Sequence, residues 1–247
     1  MVVLPPSLTV AAIQMDCALQ HVAENLSHSH RLLEEAADQG AALAVLPELF
    51  STGFALYKDA LLHAEPIDGP LVGWMRAQAM TLDLAVVGSL VERDRKSLHL
   101  TTVLVDQRGV PAVHRRVALS SQEDLFFSAG QGVHTASVGE LRVGLLAGRD
   151  LQQGRLVSSL RNQGTQVLCS GSAATDAASY GASVEHAARE GGFYHVAANR
   201  IGDEAELHYC GGTRVVGPDG DDLASVADGV EGVAVAALPL VGIRSRD

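Results

Sequence analysis

The chain has 247 residues, 47% of them hydrophobic but only 4% aromatic, so a large layered core can be filled, chiefly by Leu, Val and Ala. A net charge of −11 opposes nucleic acid or an anionic membrane as partner, because phosphate contacts need clustered Lys and Arg. Three cysteines (Cys17, Cys169, Cys210) without CxxC spacing exclude a disulfide framework and a Cys-based zinc site.

Leu8–Gln14 (LTVAAIQ) reads as a buried strand. The segment Val22–Gln39 spaces Val22, Leu26, Leu33 and Ala37 as a helix, with Glu34 and Glu35 on the other face and Gly40 as its stop. Ala42–Leu46 is the second strand, so the chain opens βαβ. His21, His28 and His30 lie around this helix; two of them stand i, i+2, on different faces, and read as solvated rather than as metal ligands. After Pro47, Glu48 projects from the carboxyl end of the second strand, where α/β sheets place ligand sites. A loop Glu capping the next turn is the alternative.

Gly69–Leu84 is predicted helical through Val72, Met75 and Ala79, with Trp74 in the core. Ala85–Val91 and Leu100–Asp106 are strands around a charged turn, ERDRKS, that leaves Lys96 in solvent, and Val110–His114 is the next strand. Arg116 follows it; on position alone it is a strand-end Arg paired with Glu123 or Asp124. A second βαβ unit runs through the strand Leu141–Ala147, the helix Arg155–Gln163 and the strand Gln166–Ser170. Ser183–Glu190 is a helix stopped by Gly191, Asp219–Gly220 turns a hairpin, and Val233–Leu238 closes a sheet. With no repeat, low-complexity segment or linker, residues 1–247 are expected to form a single domain.

The N-terminus, MVVLPPSLTV, lacks the charged-then-apolar order of a signal peptide and is broken by Pro5–Pro6, and no apolar run approaches the ~20 residues of a membrane helix. A cytoplasmic protein is the expectation. Of the basic residues sixteen are Arg and two are Lys, Lys58 and Lys96. Arg keeps its charge and grips carboxylates in a fork, whereas Lys can give up its proton in acid–base steps. No GxSxG elbow, Gly-rich phosphate loop or HExxH motif occurs, so no cofactor and no metal are expected.

Three stretches carry a resemblance: Ala42–Phe54 (ALAVLPELFSTGF), His114–Leu119 (HRRVAL) and Leu141–Asp150 (LRVGLLAGRD). So do Gly192–Gly202 (GFYHVAANRIG) and the hairpin Gly211–Pro218. Together they resemble the nitrilase, or carbon–nitrogen hydrolase, superfamily over nearly the full chain. The resemblance implies a four-layer α-β-β-α sandwich, with two face-to-face mixed sheets and helices outside, in a homodimer. It also implies a Glu–Lys–Cys triad of base, oxyanion partner and covalent nucleophile.

Carried over residue by residue, the Glu stands at Glu48. The family's Y-R-K-x-H-L falls on His114–Leu119 and puts Arg116 at the Lys; its G-V-L-I-C-Y-D puts Gly148 at the Cys, with Arg149 and Asp150 after it. Glu123 matches a second Glu that braces the Lys, and Phe54 a pocket wall. Cys169 falls on a strand interior, and Ser172 near the end of that strand has no lysine placed to activate it.

Gly148 has no side chain to form a covalent intermediate. The expectation is a pseudoenzyme with a degenerate triad, binding a small carboxylate- or amide-type ligand, or a partner, among Glu48, Phe54, Arg116, Glu123, Arg149, Asp150 and Ser172. The alternative is altered, non-covalent chemistry (elimination, cyclisation or hydrolysis of a C–N-containing substrate), with Glu48 as base and Arg116 and Arg149 as anion-binding groups. A third reading is an active amidase with a displaced Cys.

Overall fold

Strand β1 (Ser7–Gln14) is buried along most of its length, and its alternate residues enter different cores. Val10 and Ala12 face one packed layer, while Ala11 and Ile13 face another. A strand covered on both faces needs apolar residues at every position, which is why LTVAAIQ shows no alternation. The computed structural model describes residues 7–54, 60–139 and 141–239; Lys58 and the Pro5–Pro6 break lie outside them.

The helices are α1 (Val22–Asp38), α2 (Ala60–His63), α3 (Pro70–Thr81), α4 (Gly154–Asn162) and α5 (Ala177–Gly191). The first half also supplies strands β2 (Leu43–Val45), β3 (Ala85–Asp94), β4 (Ser97–Asp106) and β5 (Gly109–Arg115). The second half supplies β6 (Thr135–Val138), β7 (Leu141–Ala147), β8 (Val167–Ser172) and β9 (Tyr194–Asn199), followed by β10 (Ile201–Glu204) and β11 (Leu207–Cys210). Strands β12 (Arg214–Val216), β13 (Asp222–Ser225) and β14 (Gly232–Pro239) complete it.

Two six-stranded sheets result, in the orders β14-β1-β2-β3-β4-β5 and β13-β12-β9-β8-β7-β6, with β10 and β11 as a separate hairpin. Both are mixed: β1-β2-β3 and β7-β8-β9 run parallel, and antiparallel strands flank them. Each parallel core comes from the βαβ units read in the sequence. Val10, Leu43, Val45 and Val87 of the first sheet pack on Val143, Val167, Cys169 and Val196 of the second. Helices α1 and α3 cover the outer face of the first sheet through Leu32, Leu33, Val72 and Met75. Helices α4 and α5 cover the second through Leu156, Leu160, Val184 and Ala187. The architecture is the α-β-β-α sandwich.

Several boundaries differ from the sequence expectation. The charged turn shrinks to Arg95 and Lys96, because Glu92 is a buried strand residue that accepts hydrogen bonds from Thr101 and Arg115. Helix α5 starts six residues before Ser183, where the Asp176 carboxylate caps it by accepting the Ser179 N–H at 2.7 Å. Neither β6 nor the β10–β11 hairpin was expected. Among the described residues no helix is long and apolar enough to cross a membrane.

Candidate active site

Four strand ends converge. Glu48 lies just beyond β2 and Arg116 directly after β5, both of the first sheet. Gly148 directly follows β7, and Ser172 ends β8, both of the second. All are at carboxyl ends, where side chains leave the sheet without covering helices. The two sheets touch here: the Glu48 N–H donates to the Ser172 carbonyl at 3.2 Å, and a Cβ on Gly171 would stand 2.7 Å from the Leu46 carbonyl oxygen. Only glycine permits that approach.

Arg116 is the hub. It is 3% exposed, and its guanidinium lies between two carboxylates that are nearly as buried, Glu48 at 3% and Glu123 at 4%. Nη2 forms an ion pair with Glu48 Oε1, and Nη1 donates to Glu123 Oε1 at 2.7 Å. Glu123 opens a short 3₁₀ turn, Glu123–Leu125, and its other oxygen accepts the Ser120 N–H at 2.6 Å. Burial pulls the Arg116 guanidinium below the usual arginine value, and the charges of Glu123 and Asp150 oppose the shift. The side chain still keeps its proton, as arginine does in proteins. A buried Glu–Arg–Glu cluster therefore forms.

Gly148 has φ +49°, in the left-handed region that favours glycine. A Cβ added there would lie 2.7 Å from Arg116 Nη2 and 2.9 Å from Cζ. The guanidinium thus occupies the space directly in front of residue 148.

Glu48, Phe54, Arg116, Glu123, Gly148, Arg149 and Ser172 line one cavity of about 310 Å³. Its far wall, from Ala173 through Asp176 and the first turns of α5 to Ser183, was not read from the sequence. Phe54 is held by its N–H, which donates to Glu204 at 2.9 Å. Glu204 is itself paired at 2.6 Å with Arg200, a fully buried cation stacked on the Tyr209 ring.

Arg149 is exposed at the cavity and forms no ion pair with the described residues. Asp150 goes elsewhere. Fully buried and absent from the cavity wall, its carboxylate accepts from His114 Nε2 at 2.7 Å, from the Ala118 N–H at 2.6 Å and from the Val117 N–H. It fixes the loop that follows Arg116, so the expectation that it faces a ligand gives way to an anchoring role.

None of the three cysteines lines this cavity. Burial pushes the Cys17 thiol up to about 12 and the Cys169 thiol higher still, and raises Cys210 as well. Such thiols supply little thiolate at neutral pH. Lys96 is exposed in its turn. Among the described residues no three His, Cys, Asp or Glu side chains are grouped to hold a metal ion.

Two mixed sheets face to face, with a buried carboxylate at the converging strand ends, define the nitrilase type of α/β sandwich. The chain belongs to the carbon–nitrogen hydrolase family, whose model matches residues 9–246. It is 28% identical over 242 residues to a nitrilase of Pyrococcus abyssi, covering 96% of this chain and 92% of that protein. To an omega-amidase of Escherichia coli it is 25% identical, covering 97% and 93%. Among solved structures, it superposes with a TM-score of 0.87 on a double mutant of the amidase from Nesterenkonia sp. AN1 in complex with acrylamide, at 25% identity and covering 98% and 95%. A carbon–nitrogen hydrolase superfamily protein from Xanthomonas campestris, with an arsenic adduct in its active site, shares the fold at TM-score 0.88 and 23% identity, covering 96% and 92%.

Proposed function

We propose that this chain is a pseudoenzyme of its family: it keeps the cavity and the Glu, binds a small carboxylate- or amide-type ligand, and forms no covalent intermediate. Gly148 takes the place of the nucleophilic cysteine and Arg116 that of the lysine. A mutant of the Nesterenkonia amidase, by contrast, shows Michael addition of acrylamide at its active-site cysteine. One observation carries the reading. The Arg116 guanidinium fills the volume in front of residue 148, within 2.7 Å of where a Cβ would be, and is clasped there by Glu48 and Glu123.

A nucleophile needs a free base within hydrogen-bond reach and space for the acyl group. Here the guanidinium crowds the position where the nucleophile's side chain would begin, and the Glu48 carboxylate is engaged by a cation that does not accept protons. The same engagement weakens the alternative of Glu48 as base in non-covalent chemistry. Incubating the protein with a panel of small amides and nitriles, and following ammonia release together with intact mass, tests the reading. Neither ammonia nor a mass adduct is expected; steady release that Glu48→Gln abolishes would overturn it.

A further inference from the structure

Resting on the reading of the cavity as a binding site, the question becomes what its free groups can hold. Ser172 and Tyr180 both line it, are 2% and 6% exposed, and neither hydroxyl has a hydrogen-bond partner. The two hydroxyls stand close enough for Ser172 to temper the Tyr180 phenol through a hydrogen-bonding interaction, but no hydrogen bond of standard geometry joins them, so both can turn to a ligand. Buried hydroxyls without partners are uncommon and point to an acceptor that arrives from outside. Burial also pushes the Tyr180 phenol well above its ordinary value, so it stays a donor. The third free group is the exposed guanidinium of Arg149.

We infer that the ligand is a short carboxylate carrying one uncharged carbonyl. The carboxylate pairs with Arg149 at the exposed side of the cavity, in the two-pronged manner guanidinium groups favour. The carbonyl oxygen, with two lone pairs, takes both buried hydroxyls. Rotation of Ser172 about its single side-chain torsion turns Oγ towards the ligand. A second charge at the hydroxyl end is disfavoured, because the nearest buried cation, Arg116, is already shared between two carboxylates. A cavity of about 310 Å³ sets the size at the small-metabolite end.

Calorimetric titration of the full chain tests this with three five-carbon probes: levulinate, a keto acid; valerate, which lacks the carbonyl; and methyl propyl ketone, which lacks the carboxylate. None has a C–N bond, so binding is read apart from hydrolysis. Levulinate is expected to bind at least about ten times more tightly than either of the others. Tyr180→Phe and Ser172→Ala should each bring its ratio to valerate close to one, and Arg149→Gln should weaken levulinate about ten-fold or more. If Tyr180→Phe fails to fold, Ser172→Ala carries the comparison alone. Equal binding of levulinate and valerate, an advantage that survives loss of the hydroxyls, or no levulinate binding would each overturn the proposal. N-Acetylglycine, which joins a carboxylate to an amide carbonyl, separates this proposal from the reading beneath it: its cleavage would support the ligand class while overturning the pseudoenzyme.

Discussion

At residue 148 two constraints meet, a left-handed backbone and a guanidinium where a side chain would begin. Gly148→Cys alone therefore has to take up the strained φ and push the Arg116 guanidinium aside, disturbing its ion pairs with Glu48 and Glu123. A left-handed conformation costs a non-glycine residue ~1–2 kcal/mol, and the disturbed ion pairs add to it. For a chain of this size each kcal/mol lowers Tm by about 2–4 °C. Thermal denaturation should show Gly148→Cys melting several degrees below wild type, with part of the loss recovered when Arg116→Lys is added; a single variant as stable as wild type would remove the steric argument.

Position alone made Glu48 and Arg116 strand-end residues and offered Glu123 as a partner of Arg116, and the ion pair is there; the grouping of these three with Gly148 came from the family resemblance, not from strand periodicity. Asp150 was misread for an instructive reason. A carboxylate two residues from Gly148 reads as facing the same space, yet the 3₁₀ turn Gly148–Gln152 carries it to the opposite side, onto His114 and two backbone donors.

Helix α5 shows what periodicity leaves out. Its first residues, Ala177–Gly181, offer only small side chains beside Tyr180 to mark a face, although Asp176 is a good N-cap residue, and its carboxylate accepts the Ser179 N–H. The helix docks on β8 and β9 through a wholly buried His195, whose Nε2 lies 2.8 Å from Ser170 Oγ and whose Nδ1 lies 3.1 Å from the Val184 carbonyl oxygen. Burial lowers this imidazole from 6.5 to about 4. Between those values the unfolded chain binds a proton that the folded chain refuses. The stabilisation is thus complete above pH ~6.5 and is lost as the pH falls towards 4, by about 3 kcal/mol in all. Denaturant titrations at pH 7 and pH 4.5 should show this drop, and His195→Gln should show a smaller one. Equal drops in the two proteins would mean that His195 titrates normally.

For the whole molecule, the order of the main elements was legible, β6 and the β10–β11 hairpin excepted, but their pairing was not. Strand β1 joins β14 over eight residues, Ser7 against Pro239 through Gln14 against Gly232, across almost the full chain. Nothing local to either strand encodes that partner. Because β1 is buried on both faces, its composition also hides which residues meet the opposite sheet and which meet the helices. The resemblance to the carbon–nitrogen hydrolases supplied the two-sheet arrangement that periodicity could not. The same arrangement brings four carboxyl strand ends from two sheets to one cavity, so that a change at β5 and a change at β7 act on each other directly.

That coupling between Arg116 and Gly148 is the centre of the account, and restoring the inferred triad tests it most directly. Wild type, Gly148→Cys and the double variant Arg116→Lys with Gly148→Cys would be compared for ammonia release from small amides and for an acyl adduct by intact mass. The double variant should acquire both, at least about ten-fold above the single variant, while wild type shows neither. A single variant as active as the double, or turnover by wild type itself, would contradict the claim that Arg116 holds the nucleophile's place.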